Sequence, residues 1–349
     1  MKPIYIKIIA GLFILGITGT GISLYFYFNP YFNVEFPIKK NFYWFSAWNN
    51  ASYERLLERV EEINMISPSW WRVHPNGTIT DEYWYLEVEP EDVFSFCRSH
   101  NVEIHPLVSN YDEYFSSELI SGIINNETSV INFINSANYL LNLYNCTGIN
   151  LDFEGVPAED RGVFNEFLNK VREELEEEFI LSIDVPAKSA DWKTGWGGAF
   201  SYEVIGEICD YVMIMTYDYS YDGSGPGQIS PISWIKTVLG YATKNIPYEK
   251  IYCGIPLYGY SWPNNGERAI SGGYSYFKNL LDIYGIEPKR YSDSKEPYFS
   301  YKDENEITWD AVFQDYISTQ EKEKAINNYP VGGYCYWYLG IGDPAYWFK

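Results

Sequence analysis

Apolar and aromatic positions gather in short runs at residues 42–48, 65–73, 102–108, 149–153, 179–185, 211–217, 251–257 and 333–339, each of strand length. Helical repeats lie between them. The clearest is Val163, Phe164, Phe167, Leu168, Val171 and Leu175, whose spacing by threes and fours places them on one face of a helix over 158–178. Eight strand-like runs alternating with helices predict an α/β fold, a (β/α)8 TIM barrel with parallel strands inside and helices outside. The gap between the seventh and eighth runs is too long for one crossover. Within it, residues 262–307 hold Gly, Ser and Tyr with little helical period, and predict a small inserted subdomain on the catalytic face.

The amino-terminal pattern differs. Residues 8–28 carry no charge, long enough for a helix rising about 1.5 Å per residue to span a hydrocarbon core of about 30 Å. Lys2 and Lys7 precede this run and Lys39 and Lys40 are the next cations, so the positive-inside bias predicts a transmembrane helix with the amino terminus in the cytoplasm. A cleaved signal sequence is the rival, because 8–17 has the length of a signal core and small residues follow. The expected organisation is an anchor or signal sequence over 1–28, a tether over 29–40 and a barrel over 41–349. The barrel would sit outside the cell membrane, tethered to it or secreted.

Charge narrows the partner. The chain has 25 basic and 47 acidic side chains, a net charge of −22 with three histidines, which excludes a nucleic-acid surface because phosphate binding needs clustered cations. Five cysteines without a CxxC and histidines without an HExxH spacing signal neither metal nor cofactor.

The most informative segment is Gly148-Ile149-Asn150-Leu151-Asp152-Phe153-Glu154. Strand geometry sends Ile149, Leu151 and Phe153 to one face and Asn150, Asp152 and Glu154 to the other. With helices packed around a barrel the apolar set must face outward, which aims the polar set inward, near the strand ends where such barrels keep their chemistry. Crowded, desolvated carboxylates resist joint ionisation, so one keeps a proton and can act as a general acid. Residues i and i+2 lie only about 6.6 Å apart and point the same way, so the pair is poorly placed to flank a sugar ring as ordinary retaining glycosidases require. One acid, Glu154, and a neighbour, Asp152, that orients some other nucleophile fit better, and an acetamido group of the substrate is one candidate for that nucleophile.

These residues resemble glycoside hydrolase family 18. The strand is similar to its DGxDxDxE motif, and residues 182–191 (SIDVPAKSAD), 213–218 (MIMTYD), 254–262 (GIPLYGYSW) and 336–340 (YWYLG) match in order and approximate spacing. Residues 67–79 (SPSWWRVHPNGTI) and 225–234 (GPGQISPISW) look most like the spore-germination, cortex-lytic N-acetylglucosaminidase branch. The family is a known substrate-assisted exception to the two-carboxylate rule. The resemblance implies that Glu154 protonates the glycosidic oxygen and Asp152 polarises the acetamide, giving an oxazolinium ion. It implies that Tyr217 and Asp218 hydrogen-bond the acetamide, that Met215 packs beneath its methyl group, that Trp337 floors the distorted sugar and that Tyr258 lines the cleft. Trp70 and Trp71 are further groove candidates. Two departures are Thr147 and Asn150, where the motif has Asp; Asn150 can donate to Asp152 but cannot share a titrating proton with it. The expected partner is a glycan containing β-linked N-acetylglucosamine, chitin-like, peptidoglycan-type or another envelope polymer. The alternative is a membrane-tethered, chitinase-like lectin; a remoter one is a structural envelope protein.

Overall fold

The computed structural model describes residues 11–18, 21–28, 38–46, 48, 50–81, 88–111 and 114–347. It divides into two units, Met1–Ile38 and Lys39–Lys349. In the first, Gly11–Thr18 and Gly21–Phe28 pair as antiparallel strands, which replaces the single helix expected there. Apolar length does not choose between helix and strand, and these runs are rich in Ile, Tyr and Phe, which suit extended backbone. Among the described residues no helix is long and apolar enough to cross a membrane. Residues 1–10 and 29–37 of the expected anchor and tether lie outside the described residues.

The second unit is an α/β fold on a curled parallel sheet. Its strands are Lys40–Phe45, Met65–Pro68, the pair Glu103–Ile104 and Leu107–Ser109, then Gly148–Asp152, Ile180–Pro186, Tyr211–Met215, Ile251–Pro256 and Gly333–Trp337. They are called first to eighth here, the pair counting as the third. Glu103–Ile104 bonds to the second strand and Leu107–Ser109 to the fourth, so the interrupted third strand joins both sides of the curl. The break falls at His105 and Pro106, and Pro106 has no N–H to offer a ladder. The run 65–73, expected as one strand, is also divided: Trp71–Val73 leaves the second strand and forms a hairpin with Ile79–Asp81.

Side-chain alternation separates two cores. Ile149, Leu151 and Phe153 face the helices and join Phe133, Phe164 and Phe167, with ring centroids 5.9 Å apart for Phe133–Phe153 and 6.0 Å for Phe153–Phe167. On the inner side Phe42, Trp44, Met65, Leu107, Met213, Tyr252 and Cys335 form a smaller cluster. Burial of the outer faces under helices such as Glu127–Tyr144 and Arg161–Glu174 leaves the inner face to the other set of each strand, which on the fourth and fifth strands is polar: Asn150, Asp152, Ser182 and Asp184. The expected helix over 158–178 is a short 3-10 turn, Ala158–Asp160, followed by Arg161–Glu174.

Between the seventh and eighth strands stands a five-stranded antiparallel sheet, starting at Tyr258–Pro263 and ending at Thr308–Val312. It begins four residues earlier than the sequence pattern indicated and contains a helix, Tyr274–Tyr284, in a stretch read as having little helical period. Phe277 is the fully buried residue of that helix, and Tyr274, Tyr276, Leu280 and Leu281 pack half-buried around the same cluster.

Candidate active site

The fourth strand ends at Asp152, and the inward phase carries through Asn150 and Asp152, both buried, to Glu154, which solvent partly reaches. Asn110, after the third strand, fixes the backbone of Glu154 from both sides. Its Oδ1 accepts from the Glu154 N–H at 2.9 Å and its Nδ2 donates to the Glu154 carbonyl at 2.8 Å. Asn110 is fully buried, so the acid is held by main-chain bonds while its side chain stays free to work.

A third carboxylate joins them. Asp184, on the inward phase of the fifth strand, accepts from Asn150 Nδ2 at 2.9 Å and Trp44 Nε1 at 3.0 Å. Ser182 Oγ donates to Asn150 Oδ1 at 2.9 Å and so sets which way the Asn150 amide points. Asn150 therefore serves Asp184, where the sequence pattern assigned it to Asp152. Asp184, Trp44 and Asn110 were not singled out from sequence; for Asp184 the alternation of Ser182, Asp184 and Pro186 was the available signal.

Among the described residues no cation pairs with Asp152, Glu154 or Asp184. Burial pushes the Asp152 carboxyl up to about 7. Burial raises Glu154 well above the ordinary carboxylate range, and the charges of Asp152 and Asp218 add to it. Asp184 is raised by burial and then by the charge of Asp152, against the lowering effect of its Trp44 and Asn150 donors. Such a cluster retains at least one proton near neutral pH.

The sixth strand supplies the facing wall. It stops at Met215, which is half-buried, and Tyr217 and Asp218 follow. Asp218 has a φ of 58°, a left-handed conformation uncommon outside glycine. The hydroxyls of Tyr258 and Tyr260 both donate to its Oδ1, the latter at 3.1 Å. Tyr258 is thus buried with its hydroxyl engaged by Asp218, and the inserted sheet reaches the site through these two tyrosines. Trp337, at the end of the eighth strand, is partly exposed and meets Trp44 edge-on at 5.6 Å. Trp44 also meets Tyr217 at 6.2 Å, so this one indole spaces the two walls and bonds Asp184. The structure brings together Asn150, Asp152, Glu154, Tyr217, Asp218, Tyr258 and Trp337. Trp70 and Trp71 are instead buried in the core under the helices, because the chain turns away after Pro68. All five cysteines are buried free thiols.

A parallel sheet with clustered carboxylates at its carboxyl-terminal edge and an inserted sheet between the last two strands has relatives. The sequence profile of Glycosyl hydrolases family 18 matches residues 41–341. The chain belongs to this family. It is a glycosidase, chitinase-like, and its likeness falls on the spore cortex-lytic branch. It is 27% identical to the uncharacterized glycosylase YvbX of Bacillus subtilis over 309 residues, 87% of this chain and 88% of that one. It is 35% identical to the cortical fragment-lytic enzyme of Bacillus anthracis over 241 residues, 67% of this chain and 55% of that enzyme. The chain thus spans about half the length of the cortical fragment-lytic enzymes it matches. The crystal structure of the Bacillus cereus spore cortex-lytic enzyme SleL superposes with a TM-score of 0.82 at 25% identity, covering 90% of this chain and 74% of that one.

Proposed function

We propose that the chain cleaves glycans containing β-linked N-acetylglucosamine, of the kind found in cell-envelope polymers, by substrate-assisted catalysis with retention at the anomeric carbon. The observation that carries this reading is the grouping of a partly exposed Glu154 with the deeply buried Asp152 in one inward phase at the end of the fourth strand. Both point the same way, so they cannot stand on opposite sides of a scissile bond. Glu154 gives its proton to the leaving oxygen. Asp152 orients the acetamide N–H as the acetamide oxygen attacks the anomeric carbon, and the C–O bond to the leaving sugar breaks. Water, deprotonated by Glu154, then opens the oxazolinium ion. Tyr217 and Asp218 orient the acetamide in a site partly closed to water, where fixed dipoles act strongly, and Met215 and Trp337 supply apolar contact for the methyl group and the ring face. The names of the relatives, cortical fragment-lytic and spore cortex-lytic, favour a peptidoglycan-type polymer over chitin.

The uncharged run over 8–28 supports export of this activity. Protease treatment of intact cells expressing the full chain, with loss of the barrel as the expected result, checks that placement. The chemistry is tested by incubating the full chain and its Glu154→Gln variant with N-acetylglucosamine oligomers and with spore-cortex fragments, following products and their anomeric form. Early β-anomer from the parent and none from the variant is expected. Binding without turnover in both proteins would replace the enzyme reading by a lectin.

A further inference from the structure

The polar set inside the curled sheet does not stop at the acids. From Asn150 it continues through Ser182 on the fifth strand to His105, in the break of the third strand, and on to Glu103 at the amino-terminal end of that strand. His105 is fully buried, with Phe42 at 6.3 Å and the Tyr211 ring stacked on it at 5.9 Å between centroids. Its Nδ1 lies 3.4 Å from Ser182 Oγ and its Nε2 lies 3.6 Å from Glu103 Oε2. Lys40 Nζ donates to Glu103 Oε1 at 2.9 Å and to the Tyr211 hydroxyl at 3.5 Å. A buried imidazole is costly unless its nitrogens are used, and both of these face polar atoms that lead toward the site or away from it.

Proton supply fixes the direction of these bonds. Ser182 Oγ has one proton and two acceptors at 2.9 Å, the Ile149 carbonyl and Asn150 Oδ1. None is left for the imidazole, so Nδ1 carries a proton and donates to Ser182. Asn150, held by its oxygen, turns Nδ2 to Asp184 Oδ2 at 2.9 Å. Every donor in the row therefore points toward Asp184: His105 to Ser182, Ser182 to Asn150, Asn150 to the carboxylate. Hydrogen bonds aligned in one direction strengthen one another. The reversed amide would set Asn150 Oδ1 against Asp184 and would require a proton on that acid. Asp184 faces Asp152 and Glu154 from the fourth strand, Tyr217 after the sixth and Cys335 on the eighth. A carboxylate charge in that position keeps a proton on its acidic neighbours.

We propose that His105, acting through Ser182 and Asn150, is a positioning residue for the acid cluster: it aims a row of donors at Asp184 that keeps the shared proton off that acid and leaves it to Glu154. This rests on the glycosidase chemistry proposed above. The test follows kcat/KM against pH for the full chain and its His105→Leu, His105→Asn and Ser182→Ala variants on N-acetylglucosamine oligomers. In His105→Leu and Ser182→Ala the proton passes more readily to Asp184, so the basic limb should move down by about half a unit to one unit. His105→Asn, whose amide N–H can stand in for Nδ1, should keep most of the parent profile. A rate scaled equally at every pH, or an unchanged profile, would overturn the relay. So would a limb moved as far by His105→Asn as by His105→Leu, which would assign the effect to packing. Ser182→Ala removes a single oxygen and carries the test if His105→Leu does not fold. If the parent turns over no oligomer, the catalytic reading fails separately, and the titration midpoint of Asp184, followed by carbon-13 carboxyl NMR and assigned with Asp184→Asn, decides the relay. A higher midpoint in Ser182→Ala than in the parent supports it; an equal or lower one overturns it.

Discussion

Two buried carboxylate sites in this molecule are built in opposite ways. Glu296, just before the strand Pro297–Lys302 of the inserted sheet, accepts from the backbone N–H groups of Ile229 and Ser230 and from Gln314 Nε2, each at 2.9 Å, and its Oε1 lies 3.1 Å from the Lys322 ammonium. Both charged side chains are fully buried. Lys322 also donates to Gln314 Oε1 at 2.8 Å, which closes the network. The cluster of Asp152, Glu154 and Asp184 has three carboxylates and, among the described residues, no cation. A satisfied pair holds one protonation state and one geometry; a set of unpaired acids is left able to exchange a proton. Glu296 ties the insertion to the loop after the sixth strand and to the helix Tyr316–Ile326, and so steadies the sheet whose tyrosines hold Asp218. One site is structural and supports the other.

The largest expected effect separates the two in kinetics. Glu154→Gln should lower kcat on N-acetylglucosamine oligomers by about 100- to 10,000-fold with the melting temperature held or raised, measured by steady-state rates and calorimetry. Lys322→Met should do the reverse, leaving Glu296 charged and unpaired. Denaturant unfolding should show a loss of about 3–5 kcal/mol, while kcat per folded molecule changes far less. If Lys322→Met matched Glu154→Gln in kcat, the division between the sites would be wrong.

Proton linkage sharpens the contrast. Asp152 has a folded value of about 7, above its unfolded value. Its contribution is fully present below the unfolded value of about 4 and is lost as pH rises through about 7. Asp184 is raised in the same direction. Asp184→Asn, which keeps an oxygen acceptor for Trp44, should therefore raise the melting temperature at pH 8 more than at pH 4. A gain of equal size at both values would mean that the buried acids are not what limits stability at alkaline pH. The smallest shift concerns Asp218, whose charge helps to raise Glu154. Asp218→Asn should move the basic limb of the kcat/KM profile down by about one unit or less, because Glu154 then loses its working proton at lower pH.

The strand pattern was legible because period-two alternation survives wherever one face packs on helices. It placed Asp152 and Glu154 inward and Ile149, Leu151 and Phe153 outward without any coordinates. It failed where the backbone breaks. Pro106 divides the third strand, and the turn after Pro68 sends Trp70 and Trp71 into the core, because a single missing donor or turn alters direction without altering composition. The amino-terminal run failed for another reason, since a long apolar stretch fits more than one backbone. Asn110 and Trp44 were invisible because their roles depend on partners 44 and 140 residues away in sequence.

By itself, then, the sequence determined the alternation of strands and helices and the inward carboxylates of the fourth strand. Both follow from local periodicity. Only the tertiary structure decided that Asp184 completes the acid cluster, that Asn150 serves it, and that Tyr258 is engaged by Asp218. These are contacts between residues far apart in the chain, and no short-range pattern encodes which of many inward polar side chains will meet.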